Sequence, residues 1–179
     1  MSDNRIRTTV GAALAAATLI SSGCTSSTGH QEESMASTVT IKDQWASSAD
    51  MEMAAVFGTL TNTGHHEARI VAGESPMAGR VEIHEVTPNA TGTNVMQPKE
   101  GGIALPADGT HDLVPGGDHI MLMDLTEPLK PGADVDFTVI FEDGSTLPAT
   151  AQIRDFAGAG EDYQPNTEMP AGAPHHDHG

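Results

Sequence analysis

Basic residues are scarce in this chain. Eight Lys and Arg stand against 25 Asp and Glu among 179 residues, a formal charge of −17 at pH 7. A phosphate-binding partner needs a basic surface, so this balance argues against nucleic acid. Aromatics are equally thin, with one Trp, one Tyr and four Phe. The core must therefore rest on Val, Ile, Leu, Met and Ala, which suits a small β domain. Thiols are nearly absent, since Cys24 is the only cysteine. Long hydrophobic runs are missing too: the apolar stretch Val10 to Ile20 is too short for a permanent bilayer-spanning helix.

What is present begins with an export layout. Arg5 and Arg7 precede the apolar run, and small residues lead to Gly23 and Cys24. The segment resembles a bacterial lipoprotein signal, in which Cys24 is lipidated and becomes the mature N-terminus. It departs from the usual pattern at Ser21, where a leucine is expected; Leu19 and Ile20 lie just upstream. With Cys24 committed to an anchor, the mature domain has no thiol for a disulfide, a nucleophile or a blue-copper ligand. This organisation gives a signal peptide over 1–23, a flexible tether over 24–38, a folded domain over 39–156 and an unstructured tail over 157–179.

Within the domain, short runs rich in β-branched and aromatic residues alternate with turn signals. "TVTIKDQWA", "AAVFGTLTN", "ARIVAGE" and "GRVEIHEV" read as strands. The polar "TNTGHHEA" is expected to be a hairpin connection, and "TPNATGTN" a turn-rich loop before "VMQP". "HDLVPGGDHIMLMDL" holds two strands joined around Pro115, Gly116 and Gly117. Asp143 and Gly144 mark the turn of a closing hairpin. About eight or nine short strands at intervals of about ten residues predict an all-β antiparallel sandwich or barrel.

The chemistry-bearing residues fall in the second half of the domain: His84, Met96, and His119 with Met121. Alternate residues of a strand share a face about 6.6–7 Å apart, so His119 and Met121 can reach one point in space. A thioether is a soft, uncharged donor and imidazole a borderline one. Together they favour Cu(I) over Zn²⁺, Mg²⁺ or Ca²⁺. Neither forms a base–nucleophile pair, so the set suggests no enzyme reaction. Each residue alone has an ordinary explanation, a core methionine or a surface histidine.

The segment from Trp45 to Phe156 resembles the extracytoplasmic copper chaperone family known as PCu(A)C. The landmarks are "FGTLTNTG", "GRVEIHEV", the methionine of "VMQP", "GGIALPADGT", "LVPGGDHIMLM" and "LKPGADVDFTVIFEDG". Eleven residues separate His84 from Met96 and 22 separate Met96 from His119, each gap one residue longer than the family pattern. The resemblance implies a cupredoxin-like, Greek-key β-sandwich binding Cu(I) through His84, Met96, His119 and Met121. It also implies delivery to the copper-centre subunit of cytochrome c oxidase alongside a Sco-type copper protein, on the outer face of the cytoplasmic membrane. Met123 shares the ligand face and is expected to be a hydrophobic wall.

The tail offers a second candidate metal site at His175, His176 and His178, with Asp177, suited to Cu(II); Met169 is a further soft donor. His30, His65 and His66 are expected to be exposed without a role. Rival readings are copper storage or detoxification, a copper-dependent oxidase or dismutase, and a metal-free interaction sandwich with a methionine core.

Overall fold

The computed structural model describes residues 33–156 and the two-residue segment 162–163. Cys24 and the tail histidines lie outside the described residues. A short helix, α1 (Met35–Thr38), leads into β1 (Val39–Ser47), β2 (Met53–Asn62), β3 (Ala68–Glu74) and β4 (Ala78–Pro88). These are followed by β5 (Asn94–Pro98), β6 (Ile103–Leu105), β7 (Thr110–Leu113) and β8 (His119–Leu125). The described strands end with β9 (Asp134–Phe141), β10 (Thr146–Arg154) and β11 (Asp162–Tyr163). The two smallest, β6 and β11, are too short to leave a period-two pattern, which is why the sequence suggests fewer strands.

The strands are ordered β11-β5-β4-β8-β2-β1-β10-β9-β3-β6, with β7 also on β2. A further β3–β4 pairing, Gly73 opposite Val81, closes the sheet on itself. Neighbours are antiparallel except β1–β10 and β11–β5. Inside lie Val56, Leu60, Ile70, Ile83, Ile120, Leu122, Phe137, Val139 and Phe141, all buried. The β9–β10 hairpin turns at Gly144, whose φ of 79° suits a residue without Cβ.

The expected β2–β3 hairpin is not formed: β3 pairs with β4, β6 and β9 instead. Asn62 organises that connection. Its Nδ2 donates to the carbonyls of His66, Leu105 and Pro106 at 2.8, 3.1 and 3.1 Å. Its Oδ1 accepts from the Gly64 N–H at 2.9 Å and the Thr38 hydroxyl at 3.1 Å. A local side-chain amide replaces the ladder that a hairpin would have supplied. His65 and His66 are exposed.

Two local devices aim side chains at one face of the sheet. Between Lys42 and Trp45 the β1–β2 register slips, with Asp43 at φ 53°. Without this bulge Trp45 would lie opposite Val56, on the core face. With it, Ala46 takes that place and Trp45 stands opposite Phe57 on the other face. The second device is the turn before β8. Gly117 N–H donates to the Val114 carbonyl at 3.0 Å, and Gly116 adopts φ 78°. Pro115 followed by a positive-φ glycine is the type II arrangement. It brings the Gly117 carbonyl back over the first side chain of β8.

Candidate metal centre

Strand β8 is buried on both faces. Ile120 and Leu122 point into the core, while His119, Met121 and Met123, each 3% exposed, occupy the other face. The antiparallel register with β4 sets His84 opposite His119, Glu82 opposite Met121 and Arg80 opposite Met123. On the far side, β2 sets Ala55 opposite Met121 and Met53 opposite Met123. The alternation of "VEIHEV" against "HIMLM" thus builds one face carrying two imidazoles and a row of thioethers.

His84 is fully buried and its ring centroid lies 5.7 Å from that of His119. Met96 arrives from β5, whose ladder with β4 pairs Val86 with Met96. Its Sδ sits 3.0 Å from His119 Nε2. His119 Nδ1 is 2.9 Å from the Gly117 carbonyl, which can only accept, so Nδ1 carries the proton. Nε2 then presents a lone pair to a sulfur that also offers lone pairs. An imidazole nitrogen and a thioether sulfur are both donors that a soft cation can accept from. Met121 lies one step along the same face from His119.

The electrostatics keep both rings neutral. Burial lowers the His119 pKa from its ordinary value, and the Gly117 hydrogen bond opposes this less strongly. Burial likewise lowers that of His84, against the raising effect of Glu82, whose Oε2 lies 2.8 Å from His84 Nε2. Neutral imidazole is the form that ligates. Among the described residues no three His, Cys, Asp or Glu side chains are grouped to hold a metal ion. The candidate donors on this face are imidazoles and thioethers, a soft combination.

Aromatic side chains, scarce in the chain, converge here. Phe57 lies 5.9 Å from the His119 ring, Trp45 4.6 Å from Phe57, and Phe156 packs edge-on against both Trp45 and Phe57. Arg154 sits 5.7 Å over the Trp45 ring. The other flank is charged: Lys99 contacts Glu85 at 2.7 Å and Asp118 at 3.3 Å, and Asp118 contacts His111 at 2.9 Å. This ties the turn before His119 to the start of the β5–β6 connection. The Glu85 hydrogen bond raises the Lys99 pKa, and the Lys99 hydrogen bond lowers that of Glu85.

The fold brings His84, Met96, His119 and Met121, the residues singled out in the sequence, to one face, with Met123 beside them. Glu82 has no expected role from sequence, although the strand alternation already places it on the face of His84. The Trp45–Phe57 wall was hidden by the bulge. Cys24, Met169, His175, His176 and His178 lie outside the described residues.

A family model described as "Putative lipoprotein LpqE-like" matches residues 39–153. The chain belongs to this family. Among curated relatives of this LpqE-like member is a protein described as a putative lipoprotein of Leifsonia xyli subsp. xyli. It is 40% identical over 126 residues, covering 70% of this chain and 75% of the relative. Among solved structures, the chain is similar to a copper-bound PCuAC domain from PmoF2. That likeness has a TM-score of 0.55 at 20% identity, over 66% of this chain and 94% of that one. It is also similar to an apo PCuAC domain from PmoF1, with a TM-score of 0.54 at 21% identity, over 66% of this chain and 95% of that one. At these identities the likeness establishes the fold: an all-β, cupredoxin-like PCuAC architecture. Among the described residues, no helix is long and apolar enough to cross a membrane.

Proposed function

We propose that this LpqE-like protein is an extracytoplasmic, lipid-anchored carrier of Cu(I), holding the ion on His84, Met96, His119 and Met121. The observation that carries the reading is the 3.0 Å approach of His119 Nε2 to Met96 Sδ, with the ring proton committed to Gly117. Two lone-pair donors aimed at each other beside a buried second imidazole are a ligand arrangement rather than a packing one. The fold likeness to PCuAC domains, one of them described as copper-bound, supports it.

The chemistry suits carriage rather than turnover. Neutral soft donors stabilise the cuprous state and disfavour Cu(II). None of the four side chains is an acid–base pair with a nucleophile. Ligand exchange with a recipient needs access, and Met96 supplies it, standing half-buried on β5 near the margin of the sheet. In this reading Cys24 anchors the domain through its tether to the outer face of the cytoplasmic membrane, which raises the local concentration near a membrane-bound recipient. The recipient is the copper-centre subunit of cytochrome c oxidase, with a Sco-type protein in the same assembly.

Anaerobic Cu(I) titration against a competing chelator, followed by mixing with the apo copper domain of the oxidase, tests both halves. Uptake of one equivalent and its appearance in the oxidase domain is the expected result. Absence of uptake rules out the carrier, and uptake without transfer points to storage.

A further inference from the structure

Glu82 is placed to decide which nitrogen of His84 carries the ring proton. The two residues alternate on β4 and share the face opposite the core, the one that carries His119 and Met121 on β8. Glu82 Oε2 lies 2.8 Å from His84 Nε2, and Glu82 stands opposite Met121 across the ladder. A carboxylate only accepts hydrogen bonds, so Nε2 must hold the ring proton and Nδ1 the lone pair. The other Glu82 oxygen accepts from Arg80 Nη1. Arg80 is itself fixed, its Nε donating to Asp124 Oδ2 at 2.9 Å. The face thus carries an ordered chain: Asp124, Arg80, Glu82, His84.

We propose that Glu82 is the positioning residue of the candidate centre: it fixes the Nε2–H tautomer of His84 and so leaves Nδ1 as its donor atom, with Arg80 holding the carboxylate in that task. The inference rests on the Cu(I) reading above for its consequence, but the tautomer belongs to the metal-free protein. A carboxylate beside thioethers also attracts hard dications. Arg80 occupies one of its oxygens and His84 the other, so the acid orients a ligand without becoming one.

The isosteric change Glu82→Gln separates this role from simple packing. Arg80 can only donate, so it draws the amide oxygen. The amide NH₂ then faces His84 Nε2, which must accept, and the ring proton moves to Nδ1. Nitrogen-15 NMR of the full-length apo protein is expected to show an Nε2-protonated His84 in the wild type and an Nδ1-protonated ring in E82Q. Chelator competition is expected to show Cu(I) affinity falling about 10- to 100-fold in E82Q, the range for outer-shell partners of ligating histidines. Glu82→Ala is expected to give a mixture of tautomers and a smaller loss. A wild-type tautomer and wild-type affinity in E82Q overturns the proposal. Should E82Q not fold, a single Nε2–H tautomer persisting in E82A overturns it equally. A wild-type chain that takes up no Cu(I) refutes the carrier reading instead, while the apo tautomers still decide the role of Glu82.

Discussion

Two regions of this molecule bury polar side chains, and they do so in opposite ways. At the β2 end, Asn62 is fully buried with both amide atoms engaged by backbone and hydroxyl partners. At the β4–β8 face, His84 is equally buried and His119 nearly so. Yet His119 points its basic nitrogen at a thioether, a partner that cannot donate to it. A buried polar group whose valence the chain fills is a device of the fold. One aimed at a soft donor fits the ligand role proposed above. Burial alone does not distinguish these cases; the partner atoms do.

That contrast can be broken by exchanging which property a substitution damages. His119→Ala should lower Cu(I) affinity by about 100-fold or more, beyond the outer-shell range, and also cost about 1–3 kcal/mol of stability, because the ring is buried and bonded to the Gly117 carbonyl. Chelator competition and thermal unfolding on the same sample check this. Asn62→Ala should act on stability alone, costing about 2–4 kcal/mol as three carbonyls, an N–H and the Thr38 hydroxyl lose their partner. Its Cu(I) affinity should match wild type, and a parallel loss of affinity would mean the two regions are not independent.

Acid sharpens the comparison, because Asn62 does not titrate and the imidazoles do. Their folded pKa values lie below the ordinary 6.5, chiefly through burial. The unfolded chain therefore binds protons first as pH falls. The stability they contribute is complete above about pH 6.5 and is lost as pH descends through the folded values. Cu(I) affinity should follow the same course, flat at neutral pH and falling in acid. Affinity that declines from pH 8 to 7 would contradict neutral, buried ligands.

A smaller effect separates the two methionines of β8. Met121→Leu should weaken Cu(I) binding about tenfold, one lost thioether, whereas Met123→Leu should leave it within about twofold. Both conserve volume and should cost less than about 1.5 kcal/mol of stability. The smallest change is expected from truncation after Tyr163, which retains β11 beside β5. It should abolish Cu(II) uptake by His175, His176 and His178 and leave Cu(I) affinity unchanged.

The sequence made the strands and the ligand face readable because period-two alternation is strong in "VEIHEV" and "HIMLMDL". The same period places Glu82 beside His84, yet a glutamate on a strand looks like any solvated acid until its distance to the ring is known. The Trp45–Phe57 wall was not readable, since one inserted residue in β1 reverses the face of everything after it. The β2–β3 connection misled for a related reason. Its polar, glycine-containing composition is that of a hairpin loop, but Asn62 uses those backbone groups to carry the chain to another neighbour. Strand β11 lies within the segment expected to lack structure, and two residues are too few to leave a pattern.

The most direct measurement is X-ray absorption at the copper edge on full-length protein loaded anaerobically with one equivalent of Cu(I). Carriage of Cu(I) on these four side chains should give a first coordination shell of two imidazole nitrogens and two thioether sulfurs, with sulfur scattering diminished in Met96→Leu. A shell of nitrogen and oxygen alone, unchanged by that substitution, would contradict it.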